Sequence, residues 1–351
     1  MHTVLLVAAA TVAAPTLTSV ERITLGEGLV GRGDGKKAQG HLEQALLDPA
    51  LSPKDAARAE LALGLALLQQ QKGKDAVPHL EKAAAQTPAS EKVWLYLGIA
   101  KDQAGDTAGS LDAYARGVAA VPKSTSLKHE YGMALLSAGK NTEGATVLED
   151  AATKNEADPE LAADAAYALS LVGKFKQARE FALRAVEMSP DDPNALYTLG
   201  MAELGLGNSK RAAQVFVDAI DADETHLPAL FQLGLVLQAA GDHRGAVKQL
   251  TQALKIEPQH ARARAALGIS LTRLGTDDAK AEQLLVGATN ADPKNAAAWF
   301  ALGDLQARQG KITEAKKALQ TSQKLQPTTS TKARLESLSG AKEGTGVPSL
   351  P

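Results

Sequence analysis

The chain has 351 residues and a formal net charge of −2; 44% of it is hydrophobic, yet only 3% is aromatic, and it contains no cysteine. An alanine- and leucine-rich composition of this kind suits closely packed helices rather than a sheet sandwich. The lack of cysteine excludes disulfides, thiol chemistry and cysteine-ligated metal sites, and the near-neutral balance, with no basic stripe, argues against nucleic acid as a partner.

In chain order, residues 1–18 come first, with an apolar run of 11 residues from Val4 to Ala14. The run is too short to span a bilayer, which takes about 20 residues. It resembles the core of a secretory signal peptide, although no Lys or Arg precedes it and Pro15 follows Ala14 directly. Read that way, the protein is exported and periplasmic or envelope-associated. The other reading is an apolar first helix packed under the first repeat of a cytoplasmic protein. No cysteine follows the run, so a lipoprotein anchor is excluded, and no integral membrane segment is expected.

From residue 19 onward a period governs the chain. Gly64, Gly98, Gly132, Ala166, Gly200, Gly234, Gly268 and Gly303 recur at steps of 34 residues, the last of 35. Twelve residues after them stands a small row that includes Ala76, Ala178 and Ala212, and seven further on a second that includes Ala83, Ala185 and Ala219. Between these lies a mostly large apolar row, Leu80, Tyr114, Leu148, Phe216, Leu250, Leu285 and Leu319, with Ala182 the exception. A fixed period of this size marks a repeat array. Each unit holds two apolar stretches at helical spacing. A turn glycine such as Gly105 or Gly207 separates them, and in most units a proline such as Pro88 or Pro258 closes the second. The small rows predict close approach of helix backbones. Nine units are predicted, at 19–56, 57–90, 91–124, 125–158, 159–192, 193–226, 227–260, 261–295 and 296–329, followed by a capping helix at 330–339 and a disordered tail at 340–351.

The pattern resembles the tetratricopeptide repeat (TPR) family. Trp94, Leu97, Gly98, Ser110, Tyr114, Gly117 and Pro122 fill its signature in one unit; Trp299, Leu302, Gly303, Ala315, Leu319 and Pro327 fill it in another. The resemblance implies an all-α, right-handed superhelix, an α-solenoid whose concave surface is lined by first helices. The fifth and ninth positions of each unit would point inward, flanked by the second, sixth and twelfth. Two binding modes of the family are not expected. The clamp for chaperone tails needs Lys and Asn at the fifth and ninth positions, and neither stands there; the asparagine ladder of sugar-transferring relatives needs Asn at the sixth, where residues such as Tyr96, Thr198 and Gln232 stand instead. The inward row is mostly apolar. It predicts a partner-binding groove at His129, Met133, Tyr167, Tyr197, Met201, Phe231 and Leu235 for an apolar peptide or helix. The competing reading is that these side chains pack between adjacent first helices as core.

Other candidate chemistry is sparse. The loop from Val30 to Ala38 has three residues between Gly31 and Gly35, and Lys37 stands where a phosphate-binding loop needs a hydroxyl, so Gly33 reads as the turn of the first unit. No pair of histidines has the four-residue spacing of a helical metal site; His226 and His260 fall at unit boundaries. No catalytic residues, cofactor or metal are expected. The chain reads as a non-catalytic protein-binding adaptor or scaffold of the bacterial envelope. A regulatory subunit of a separately encoded enzyme and a self-associating structural array are the alternatives, and the oligomeric state is left open.

Overall fold

The computed structural model describes residues 17–349; the stretch 1–16 of the signal-like segment and the last two residues of the tail lie outside it. Among the described residues all regular structure is helical. The chain divides after Glu156 into two compact units. Unit 1 holds α1 (Ser19–Gly31), α2 (Gly35–Leu46), α3 (Pro53–Leu68), α4 (Gly73–Gln86), α5 (Glu91–Gln103), α6 (Thr107–Ala120), α7 (Thr125–Ser137) and α8 (Asn141–Lys154). Unit 2 holds α9 (Pro159–Leu171), α10 (Phe175–Met188), α11 (Pro193–Gly205), α12 (Ser209–Ala222), α13 (Leu227–Ala239), α14 (His243–Ile256), α15 (Ala261–Leu274), α16 (Asp278–Ala291), α17 (Ala296–Arg308), α18 (Ile312–Leu325) and α19 (Thr329–Ser337).

Local chemistry sets the helix ends. Ser52, Ser124, Asp158 and Asn295 each accept a hydrogen bond from an amide of the helix they precede, which satisfies one of the donors a helix N-terminus leaves free. Pro at the first turn of α3, α9, α11 and α13 adds a preset backbone angle. Ser52 and Pro53 start α3 four residues before the predicted unit boundary at 57, so α3 is a 16-residue helix. Between the helices of a pair the chain turns through a left-handed residue, glycine at eight turns and Gln71, with φ of 60°, between α3 and α4. At the proline closing a unit, residues at one repeat position reach back alike: the Trp94 and Trp299 indoles donate to the carbonyls of Pro88 and Pro293 at 2.7 and 2.9 Å, and Arg264 Nε donates to that of Pro258 at 2.7 Å.

Helices of about 14 residues are marginal in water, so each pair depends on packing. Within each unit a first helix packs on its own second helix, the second helix packs on the next first helix, and most neighbouring first helices also touch. The first helices thereby share one face. Inside most pairs the glycine row both admits a close backbone, with a Cβ on Gly303 standing 3.0 Å from the Ala315 carbonyl oxygen, and makes room for a side chain. A Cβ placed on Gly64, Gly132 or Gly200 would lie 2.5 Å from a side-chain atom of Leu80, Leu148 or Phe216. The glycine seats the large residue of the second helix. Those large residues are fully buried, and burial of each contributes about 1.5–3 kcal/mol.

The C-terminal segment differs from expectation. Residues 340–349, predicted as a disordered tail, fold back onto the last helix pair. The amides of Gly344 and Val347 donate to the carbonyls of Gly310 and Ala307 at 2.8 and 2.9 Å, and Val347 packs against the cluster of Ile312, Leu319 and Leu338. The pin is Arg334 of α19. It is 1% exposed; its Nε lies 2.7 Å from Asp304 Oδ1, and its Nη atoms donate to the carbonyls of Val347 and Pro348. A buried guanidinium needs its donors satisfied, and a segment without periodicity supplies the carbonyls.

Candidate functional site

The seven residues of the predicted groove fall on both units. His129 and Met133 stand on α7 of unit 1 and are half-buried. Met133 lines a cavity of about 610 Å³ with Ile99, Asp102, Glu130 and Tyr114. The Tyr114 phenol is pushed well above its ordinary pKa by burial, with the carboxylates of Glu130 and Asp102 adding to the shift. This pocket is mixed in character rather than apolar.

The other five residues stand on the first-helix face of unit 2: Tyr167 on α9, Tyr197 and Met201 on α11, Phe231 and Leu235 on α13. Two groups of tilted ring contacts form along this face, one around Tyr197 and one around Phe231. The Tyr197 ring lies 6.0 Å from that of Phe216 and 5.6 Å from the His226 imidazole. The Phe231 ring lies 5.0 Å from that of His260, and the Arg262 guanidinium sits over it at 5.0 Å. Burial raises the Tyr197 pKa; Gln232 hydrogen-bonds the phenol and partly offsets this. Phe231 is only 6% exposed and belongs to the core. Tyr197, Met201 and Leu235 are half-buried against core clusters and keep an open edge, as does Tyr167. The row is therefore neither wholly core nor a bare apolar trough. Polar groups from the flanking positions, Gln232 at a sixth and Arg262 at a second, stand among its rings.

From spacing alone the two histidines in this arrangement are unit-boundary residues with no assigned role. His226 and His260 are the N-caps of α13 and α15. The signal was their position immediately before a helix, where neighbouring repeats carry Asp or Asn. A further inward pair, Phe300 and Asp304 on α17, borders a cavity of about 270 Å³ with Ile269 and Arg273. There the Asp304 carboxylate is already held by Arg334 and by the Ser349 hydroxyl, which donates at 2.6 Å. Among the described residues no group of His, Asp and Glu is arranged to hold a metal ion, and no helix is long and apolar enough to cross a membrane.

Among curated proteins, no sequence matches this chain. Solved structures do. A chain of the APC/C hetero-tetramer Cut9–Hcn1 is 16% identical with a TM-score of 0.59, the match covering 91% of this chain and 63% of that one; the chain thus spans under two thirds of that protein. A tetratricopeptide repeat protein from Parabacteroides merdae is 15% identical with a TM-score of 0.54, covering 72% and 99%. YrrB, a TPR protein, is 23% identical with a TM-score of 0.47, covering 55% and 98%. At such identities the first two likenesses show the fold alone. Tetratricopeptide repeat family models match residues 59–202, 23–91 and 231–287, 193–226, and 277–336. These matches run along most of the helical pairs described above, and the chain belongs to the tetratricopeptide repeat family.

Proposed function

We propose that this protein is a non-catalytic adaptor or scaffold that holds an apolar peptide or helix on its first-helix faces, at Tyr167, Tyr197, Met201, Phe231 and Leu235 in unit 2 and at His129 and Met133 in unit 1. TPR arrays are in general interaction modules, which supports the broad class. The observation that carries the finer reading is the half-buried row on adjacent helices: Tyr and Met edges left open while their bases are locked in the core. Such residues offer a ligand large contact area at little ordering cost, with Met adapting its shape and Tyr adding a polar handle. The apolar run from Val4 to Ala14 supports a place in the bacterial envelope; intact mass after expression in a secreting host tests that.

The test of the binding face is the double variant Tyr197→Ala, Met201→Asp. A partner isolated by affinity capture from the native organism, then repurified, should lose binding to the variant while the melting temperature stays within a few degrees of wild type. Retained binding refutes the face. A large fall in melting temperature instead assigns both side chains to the core. Stacking of another copy on the last repeat is disfavoured, because α19 and residues 340–349 already cover it.

A further inference from the structure

Two first helices of unit 2 are capped by histidine. The Nδ1 of His226 accepts from the Ala229 amide at 3.2 Å, and the Nδ1 of His260 accepts from the Ala263 amide at 3.0 Å. The neighbouring first helices use oxygen at the same place: Asp158 accepts from Leu161, Asp192 from Asn194 and Asn295 from Ala298. The difference is chemical. A carboxylate or amide oxygen accepts at any pH near neutrality, whereas an imidazole nitrogen accepts only while it carries no proton. Protonation turns each acceptor into a donor aimed at another donor. It also places a positive charge at the positive end of a helix dipole.

The surroundings tie both caps to the proposed binding face. The Tyr197 ring meets the His226 imidazole in a tilted contact, and the Phe231 ring meets both His260 and Arg262. A second cation beside the Phe231 ring would meet the charge of Arg262. Charged groups around His226 come from the N-cap of α11 and the C-cap of α12: Asp223 and Asp192 favour its cation, and Asn194 Oδ1 stands 3.3 Å from Nε2. Burial outweighs the two carboxylates and holds this imidazole below its ordinary pKa. The charged residues flanking His260 in the chain are Glu257, whose carbonyl accepts from the His260 amide, and Arg262 and Arg264 on α15, the last engaged with the Pro258 carbonyl.

We propose that His226 and His260 form a paired proton sensor: their protonation uncaps α13 and α15 and loosens the seating of Tyr197 and Phe231, so that the first-helix face of unit 2 weakens in acid. The sign follows from linkage. His226, which burial holds neutral, contributes stability that is complete above the unfolded pKa of about 6.5 and is lost as pH falls through its lower folded pKa. The consequence for a bound peptide rests on the binding face proposed above; the loosening does not, and it is measured here without any partner.

The experiment is amide hydrogen exchange on the full chain, read as protection factors at about pH 7.5 and about pH 5, either side of the ordinary imidazole pKa. At Ala229 and Ala263 protection should fall roughly tenfold, the size of a lost cap. At Leu161 and Ala298, capped by Asp158 and Asn295, it should hold. The variant His226→Asn, His260→Asn keeps an acceptor and removes the titration, so its protection at Ala229 and Ala263 should be flat. Flat wild-type profiles at both amides overturn the proposal, as does an equal loss in the asparagine variant. Should that variant not fold, the wild-type contrast between histidine-capped and oxygen-capped helices decides the matter alone.

Discussion

The fifth and sixth helix pairs solve one packing problem in opposite ways. In α11–α12, Gly200 leaves room for the Phe216 ring, which fills the middle of the pair. In α9–α10 the two corresponding residues are Ala166 and Ala182, both fully buried. These are the departures from the glycine row and from the large row, and they occur together. What the pair requires is complementary volume: nothing opposite a ring in one case, and in the other two methyls, which together fill less space. Bulk missing inside the fifth pair appears at its border: the Phe175 ring of α10 occupies the space where a side chain on Gly205 of α11 would go, and Phe181 packs against the cluster that includes Phe216. The repeat is held by complementary shapes, and glycine is one way to supply the smaller half.

The most damaging test of this comparison is Gly200→Glu, which drives a charged side chain into the Phe216 ring. Burying it without a partner should cost several kcal/mol, on the order of 4. A urea midpoint equal to that of wild type would mean that the repeat register is wrong. Smaller and more discriminating is Ala182→Leu. Placed opposite Ala166 it overpacks, with an expected loss of about 1–3 kcal/mol; adding Ala166→Gly should recover most of it. A double-mutant cycle with coupling below about 0.5 kcal/mol would show that the two rows do not compensate one another. The smallest effect concerns the turns. Gln71 holds φ of 60° where the other pairs use glycine, and a left-handed non-glycine residue costs about 1–2 kcal/mol. Gln71→Gly should therefore raise stability by roughly 0.5–1 kcal/mol after the added freedom of the unfolded chain is subtracted. Unchanged or lowered thermal stability would assign the conformation a compensating contact.

Much of the architecture was legible because local rules and the period agree. Ser, Asp and Asn before apolar runs mark helix starts, and glycine marks the turns. The period sets a unit boundary at 57, whereas the local signal, Ser52 followed by Pro53, starts α3 four residues earlier. The candidate site was legible only as a list of inward positions. Phe231 is core, with His260 and Arg262 of the following repeat against its ring, while Tyr197 and Met201 keep an open edge beside the cluster of Phe216; which side chains meet there is set by packing between helices. Glu60 teaches the same. Alone, its burial would raise its pKa, but His79 Nδ1 at 2.5 Å and Lys82 Nζ at 3.2 Å outweigh this and hold it below the ordinary carboxylate range. No spacing rule joins positions 19 and 22 apart across a helix pair.

The sequence by itself determined the all-helical class, the pairing of helices and the family, since these rest on periodic patterning and on contacts between residues close in the chain. Only the tertiary structure decided three things. It showed that the glycine row seats side chains, that the Tyr197 and Phe231 rings meet the imidazoles of His226 and His260, and that a tail without pattern is pinned by Arg334 to Asp304. Each depends on which groups from separate segments meet and whether their donors, acceptors and volumes match. That outcome is set by packing and by the satisfaction of buried polar groups, and a one-dimensional pattern does not encode it.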